Sequence, residues 1–179
     1  MTALPNGLTA GTWNVDVAHS EAAFTVRHAG IAKVRGTVAI TEGAITVGED
    51  LASSSVSVTL DPSTINTGNE SRDGHLKTAD FFEVESFPTW TFQSTSVTED
   101  GGDYKIAGDL TIHGVTKPVV LETEFNGVAN ANGERAGFSA EVEISRGAFG
   151  LTWNSALETG GVLVSDKVKV AIELSAVKA

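Results

Sequence analysis

The sequence predicts an all-β domain whose antiparallel strands close into a barrel or stack as a sandwich. Apolar residues alternate with polar residues along most of the chain, as they do in a strand that buries one face. Turns rich in Gly and Asn separate these segments at regular intervals, which is typical of sandwiches and barrels. The chain has 179 residues and no cysteine. It is therefore long enough to bury a full core without disulfides.

The clearest strand is residues 20–28, where Phe24 and Val26 share one face and Thr25 and Arg27 share the other. The remaining predicted strands are residues 33–40, 44–47, 54–60, 89–98, 104–112, 119–125, 137–145 and 167–176. Predicted hairpin connectors, in which Gly and Asn supply positive φ angles, are Glu42-Gly43, Asp100-Gly101-Gly102 and Asn130-Ala131-Asn132-Gly133. Each strand has one apolar face, which favours antiparallel pairing.

Residues 69–82, NESRDGHLKTADFF, interrupt the alternation. Asn69 is a suitable helix N-cap. The segment is charged at its start and ends on Phe81 and Phe82. We expect a short helix that crosses one end of the sheet and places its apolar end over the interior as a plug or lid.

The charge pattern excludes several partners. The formal net charge is -11, and the acidic residues are spread along the chain. A nucleic-acid-binding protein needs a basic stripe, which is absent, so no nucleic-acid partner is predicted. Anionic membrane surfaces are disfavoured for the same reason, and the apolar runs are too short for stable membrane insertion.

The residues that carry chemistry give no catalytic or metal motif. The chain has four histidines, and Asp16 and His19 together offer two ligands, but their spacing matches no zinc site. There is no GxSxG elbow and no phosphate-binding Gly-Lys-Ser/Thr loop. The sequence therefore predicts no metal, no cofactor and no catalytic residues. Aromatic and aliphatic residues fill the inward positions, and from composition alone these form either a packed core or a ligand tunnel.

Five ordered blocks resemble the YceI-like family. They are WNVDVAHSEAAFTVRH at 13–28, RDGHLKTADFFEVESFP at 72–88, GDLTIHGVTKPVVL at 108–121, ISRGAFGL at 144–151 and VSDKVKVAI at 164–172. The resemblance implies one domain, residues 12–178, after an N-terminal extension of residues 1–11. Gly147 and Ala148 depart from the family, which more often has a hydroxyl and an acidic residue there.

The resemblance implies an extended antiparallel, lipocalin-like β-barrel that holds a polyisoprenoid or a similar long amphiphile. Many relatives are periplasmic bacterial proteins with a signal peptide. The N-terminal sequence MTALPNGLTAGTW lacks the basic and apolar regions of such a peptide. As written, the chain is therefore expected to be cytoplasmic.

The predicted function is the binding, carriage or sequestration of a polyisoprenoid, an isoprenoid quinone or a fatty-acyl amphiphile, without catalysis. The predicted ligand-binding residues are Phe24, Val26, His28, Phe87, Trp90, Phe92, Leu110, Ile112, Phe138, Val142, Val168 and Val170. A polar headgroup near the mouth would come within reach of His28, Arg72, Asp73 and His75. The other interpretation is that Arg72, Asp73, His75 and Asp80 cap the helix and brace it to the barrel.

Two further functions stay open. One is an enzyme that uses the lumen as its active site with His28 as general base. The other is a stress or resistance protein, as a homodimer, that sequesters a toxic hydrophobic small molecule.

Overall fold

A computed structural model of the chain describes residues 3–155 and 163–179. Within these residues the elements are β1 (Gly11–Val15), β2 (Glu21–His28), β3 (Ala32–Val47), β4 (Ser55–Asn66), α1 (Glu70–Leu76), β5 (Trp90–Asp100), β6 (Asp103–Ile112), β7 (Val115–Asn130), β8 (Glu134–Ser145) and β9 (Val164–Lys178). Two 3₁₀ turns, Val17–His19 and Arg146–Phe149, follow β1 and β8.

The strands form a closed antiparallel barrel with eight strand positions around its wall, which are called staves below. Each strand from β2 to β9 pairs with the next, and β9 returns to β2. Phe24 on β2 shows the closure, because it faces Gly36 of β3 on one side and Val170 of β9 on the other. The all-β, lipocalin-like barrel with one short helix is confirmed.

The short strand β1 lies in the same stave as β2. It pairs with β3 and β9 beyond the start of β2, as Trp13 shows by facing Ile45 and Lys178. The two strands are separated by the 3₁₀ turn Val17–His19. The stave is therefore one long strand with a break in its middle.

The predicted hairpin at Glu42-Gly43 is wrong, since β3 runs through it without a turn. The pairing with β4 shifts register between Ile40 and Glu42, which marks a β-bulge. A Cβ on Gly43 would lie 2.9 Å from Cγ2 of Val15, so glycine is needed for close packing and not for a turn. The other two predicted connectors are turns, with positive φ at Gly102 and Gly133.

The barrel has two differently closed ends. The helix end carries α1, residues 77–89, the β6–β7 turn and the 3₁₀ turn Arg146–Phe149, whereas the N-terminal end carries residues 3–10 and the β3–β4 connection. Asn69 caps α1 by accepting a hydrogen bond from the Arg72 backbone N–H at 2.9 Å, as predicted. None of the helices within residues 3–155 and 163–179 has the length and hydropathy needed to span a bilayer.

Candidate ligand-binding cavity

The barrel encloses a cavity of about 260 Å³, which is called the lumen below. All eight staves contribute to its wall, as do both ends of the barrel. The wall is almost entirely aliphatic and aromatic. Among the described wall residues, the side chains with polar groups are Ser54, Ser55, Trp90, Tyr104, Thr123 and Arg146.

The structure brings most of the predicted ligand-binding residues together around this lumen. The alternation of inward and outward side chains runs unbroken through the regular parts of the strands, so residues of one parity meet in the interior. Ten of the twelve predicted residues lie in the wall, namely Phe24, Val26, Trp90, Phe92, Leu110, Ile112, Phe138, Val142, Val168 and Val170. Their contact with a ligand remains a prediction.

His28 lies outside the wall and is exposed. It has the parity of Val26, but the pairing with β9 contains a bulge, because Val26 faces Val168 while His28 faces Val164. The bulge and the strand end turn His28 away from the lumen. His28 is therefore not positioned to act as a general base on a lumen-bound substrate.

Phe87 also lies outside the wall. It belongs to the irregular segment before β5, where strand parity does not apply. Its ring packs edge-on against His113 with the ring centroids 4.8 Å apart. It also covers Gly114, where a Cβ would lie 2.6 Å from Cε1 of Phe87. Phe87 therefore packs against the β6–β7 turn at the helix end.

Two aromatic rings in the wall lie directly over glycines of the neighbouring strand. A Cβ on Gly36 would lie 2.7 Å from Cε1 of Phe24, and one on Gly108 would lie 2.5 Å from Cζ of Phe92. Because no side chain occupies these two positions, each ring rests against the backbone. The glycines thereby leave the centre of the barrel open.

An aromatic cluster closes the helix end. Leu76, Phe81 and Phe82 all lie in the wall. The Phe82 ring meets Trp90 edge-on at 4.7 Å, and Phe81 packs 5.2 Å from Trp153. The side chains of Leu76, Phe81 and Phe82 therefore form an apolar plug over this end of the lumen.

Polar side chains around α1 brace this plug. Arg72 donates from Nε to Oγ1 of Thr67 and from Nη2 to the Thr67 carbonyl, both at 2.7 Å. Oδ1 of Asp73 accepts from the backbone N–H of Thr67 at 2.9 Å. His75 and Asp80 pair at 2.8 Å between Nε2 and Oδ2. None of the four lies in the wall, so the structure supports bracing and not headgroup binding.

The N-terminal end is closed by residues that the sequence analysis assigned to an extension. Leu4, Pro5 and Leu8 line the lumen. They are anchored beside Trp13, which is 0% exposed and whose indole N–H donates to the Thr9 carbonyl at 3.0 Å. The sequence shows two leucines in an otherwise small and polar segment, but no local pattern places them in the barrel.

Arg146 is the one charged side chain among the described residues of the wall. It is 7% exposed and opens the second 3₁₀ turn. Burial lowers the pKa of Arg146, while the nearby Asp166 acts in the opposite direction. Sequence reasoning missed this residue because a charged side chain is normally assigned to the surface.

The described histidines and acidic residues do not converge on a metal site. Across residues 3–155 and 163–179, no group of three or more His, Asp or Glu side chains is placed to hold a metal ion. Asp16 and His19 pair with each other at 2.7 Å between Oδ2 and Nδ1.

The closed up-and-down antiparallel barrel with an apolar lumen places the chain in the class of lipocalin-like barrels. Within that class, the chain belongs to the YceI-like family. The model of the YceI-like domain matches residues 13–176. The N-terminal plug lies before the matched region.

Similar proteins come from several bacteria. A UPF0312 protein of Staphylococcus aureus strain N315 is 40% identical over 162 residues, which are 86% of this chain and 90% of the relative. The YceI protein of Campylobacter jejuni has a TM-score of 0.69 at 31% identity, covering 86% of this chain and 90% of that one.

A more distant structure shares the fold alone. A polyisoprenoid-binding domain from Saccharophagus degradans, implicated in plant cell wall breakdown, has a TM-score of 0.69 at 17% identity. The match covers 93% of this chain and 98% of that domain.

Proposed function

We propose that the protein binds a long apolar ligand in the lumen, and carries or sequesters it there without catalysis. The ligand class is a polyisoprenoid, an isoprenoid quinone or a fatty-acyl amphiphile. The observation that carries this proposal is the continuity of the apolar wall from Leu8 at one end to Phe82 at the other. The polyisoprenoid-binding domain of the same fold supports the choice of ligand class.

The shape of the lumen favours a single extended chain. Its wall follows β9 from Val164 to Leu174, a distance of roughly 33 Å along the strand at about 3.3 Å per residue. A strand tilt of about 40° reduces this to roughly 25 Å along the barrel axis. The volume of about 260 Å³ is small for that length, since pockets for compact ligands hold roughly 300–1,000 Å³.

Burial of methylene groups supplies the binding free energy. Each one contributes about 0.8 kcal/mol when it leaves water. Ordering the chain and losing its translational freedom offset part of that gain. A long chain therefore binds tightly with few polar contacts, and affinity rises with chain length until the lumen is filled.

The test is native mass spectrometry of protein purified from its host, followed by uptake of prenyl and fatty-acyl lipids by delipidated protein. We expect a co-purifying lipid and stoichiometric uptake. An empty barrel that takes up none of these lipids would contradict the proposal.

A variant pair makes the test specific to the lumen. Phe92 is 6% exposed and lies in the wall, whereas Val120 is 45% exposed on the outer face of β7. Phe92→Asp places an unpaired charge in an apolar cavity and should abolish uptake. Val120→Asp makes the same chemical change outside and should bind normally. Normal binding by a folded Phe92→Asp variant would show that the ligand lies elsewhere.

A further inference from the structure

We propose that Arg146 anchors an oxyanion headgroup, so that the lumen selects amphiphiles ending in a carboxylate or a phosphate. The head would lie at the helix end, and the chain would extend toward the N-terminal plug. This inference rests on the proposed function and names the chemistry of the ligand's polar end.

The first step concerns the position of the charge. Arg146 is 7% exposed and borders the lumen together with Leu151 and Val164. A charge in an apolar cavity is costly unless an opposite charge lies nearby. The chain is strongly acidic overall, with a net charge of -11, yet the only charge that it presents to the lumen among the described residues is positive.

The second step concerns the partners of the guanidinium. Nε donates to the Ser165 carbonyl at 2.9 Å, and Nη2 donates to the Val164 carbonyl at 3.2 Å. Nη1 donates to the carbonyls of Leu151 at 2.6 Å and Trp153 at 2.9 Å. These four acceptors are neutral carbonyls, so they fix the orientation of the guanidinium but bring no negative charge to it. A guanidinium has five N–H donors, and the fifth, on Nη2, has no acceptor among residues 3–155 and 163–179.

The third step concerns the nearest carboxylate. Oδ2 of Asp166 accepts from Oγ of Ser145 at 2.6 Å, and its Oδ1 accepts from the Gly147 backbone N–H at 2.9 Å. Both carboxylate oxygens of Asp166 therefore accept hydrogen bonds from the 3₁₀ turn and its N-cap residue. Within residues 3–155 and 163–179, Arg146 forms no ion pair with a carboxylate.

The fourth step concerns a second buried hydrogen-bond donor, the indole N–H of Trp90. Trp90 belongs to the core cluster that contains Phe149 and Leu151. Its indole N–H is buried and has no acceptor among the described residues. Buried donors are normally paired, so an oxygen-bearing headgroup at this end would supply the acceptor that the described residues do not provide.

The experiment compares ligands that differ only in the head. Delipidated protein is titrated at mildly alkaline pH with palmitate against palmityl alcohol, and with farnesyl phosphate against farnesol. A charge-assisted hydrogen bond predicts that each anion binds about tenfold tighter than its alcohol. The carboxylate and phosphate arms identify which oxyanion fits better.

Variants separate anchoring from a purely structural role. Arg146→Met should remove the preference for anions while the alcohols still bind, and Arg146→Lys should keep part of it. Arg35→Met, at an exposed position on β3, is the control and should change neither. Melting curves report whether each variant folds. The comparison of heads on the wild-type protein stays decisive if Arg146→Met does not fold.

Three outcomes are distinguishable. If anions and alcohols bind the wild-type protein equally, or if Arg146→Met keeps the preference, the headgroup inference is overturned while the proposed function stands. If none of the four probes binds, the proposed function itself fails. Tighter binding of anions that is lost in Arg146→Met supports both.

Discussion

Nη1 of Arg135 lies 2.6 Å from Oδ2 of Asp16, and this ion pair joins β8 to the break between β1 and β2. Asp16 also accepts from the backbone N–H of Ala18 at 3.1 Å and pairs with His19. The hydrogen bonds from Arg135 and then from His19 lower the pKa of Asp16 from 3.8 to about 2. The break in the stave is thus held by one carboxylate.

We expect that carboxylate to make the barrel acid-sensitive. Because its pKa is lower in the folded protein than in the unfolded chain, its stabilisation is fully present above pH 3.8 and is lost as the pH falls toward about 2. In Asp16→Asn, the loss in the free energy of unfolding should therefore be largest above pH 4 and shrink in more acidic solution. Urea titrations across that range measure it.

Asp100→Asn is the matched control for this change. Asp100 forms an exposed pair with Lys105 at 3.5 Å, and exposed pairs contribute little to stability. Its titrations should differ little from the wild type at any pH. A stability difference for Asp16→Asn that does not vary with pH would contradict the role given to this carboxylate.

Gly36→Ala should narrow the lumen. The new methyl group would press on the Phe24 ring and lie 2.9 Å from Cγ2 of Thr67, so the ring must move toward the barrel centre. Overpacking of this kind costs about 1–3 kcal/mol. We expect lower affinity for long ligands and lower stability, measured by lipid titration and urea unfolding.

Gly74→Ala tests whether any glycine replacement has this effect. Gly74 lies within α1, and no atom outside its own stretch of helix stands within 4 Å of the position of its Cβ. Alanine is favoured over glycine inside a helix by about 0.5–1 kcal/mol. This variant should therefore be more stable and should bind ligand normally. Reduced binding in Gly74→Ala would show that the loss of affinity in Gly36→Ala does not come from a narrower lumen.

The inward set could be predicted from sequence because strand parity survives through regular pairing. The prediction of inward residues failed where regular strand pairing ends. His28 follows a bulge, and Phe87 lies in a segment without strand geometry. Gly43 was misassigned because a glycine that permits close packing within a strand has the same sequence appearance as a turn residue.

Arg146 and the N-terminal plug could not be placed from local patterns. The guanidinium is buried because carbonyls from residues 151–153 and 164–165 converge on it, and those segments meet only in the folded chain. Leu4 and Leu8 fill an opening that exists only after the barrel closes. The positions of Arg146 and of the N-terminal plug therefore depend on contacts between segments that are distant in sequence.

The N-terminal plug is expected to be the portal for ligand exchange. It is held by half-buried Leu4 and Leu8 and by the hydrogen bond from Trp13 to Thr9. The double variant Leu4→Ser/Leu8→Ser should release ligand several-fold faster in stopped-flow displacement. Asn6→Ser, at an exposed position in the same segment, should release it at the wild-type rate. Equal rates in all three proteins would place the portal elsewhere.

Weakening the helix end, in contrast, should leave the rate of ligand release unchanged. Oδ1 of Asp73 accepts from both the backbone N–H and the Oγ1 of Thr67, at 2.9 and 2.5 Å. Asp73→Ala leaves those donors without their acceptor and should reduce the free energy of unfolding by about 1–2 kcal/mol. The aromatic contacts of Phe81 and Phe82 remain, so this end of the lumen stays closed and ligand release should keep its wild-type rate. If release accelerates in Asp73→Ala and not in Leu4→Ser/Leu8→Ser, the helix end is the portal, and a headgroup held by Arg146 would then lie at the entrance and not at the closed end.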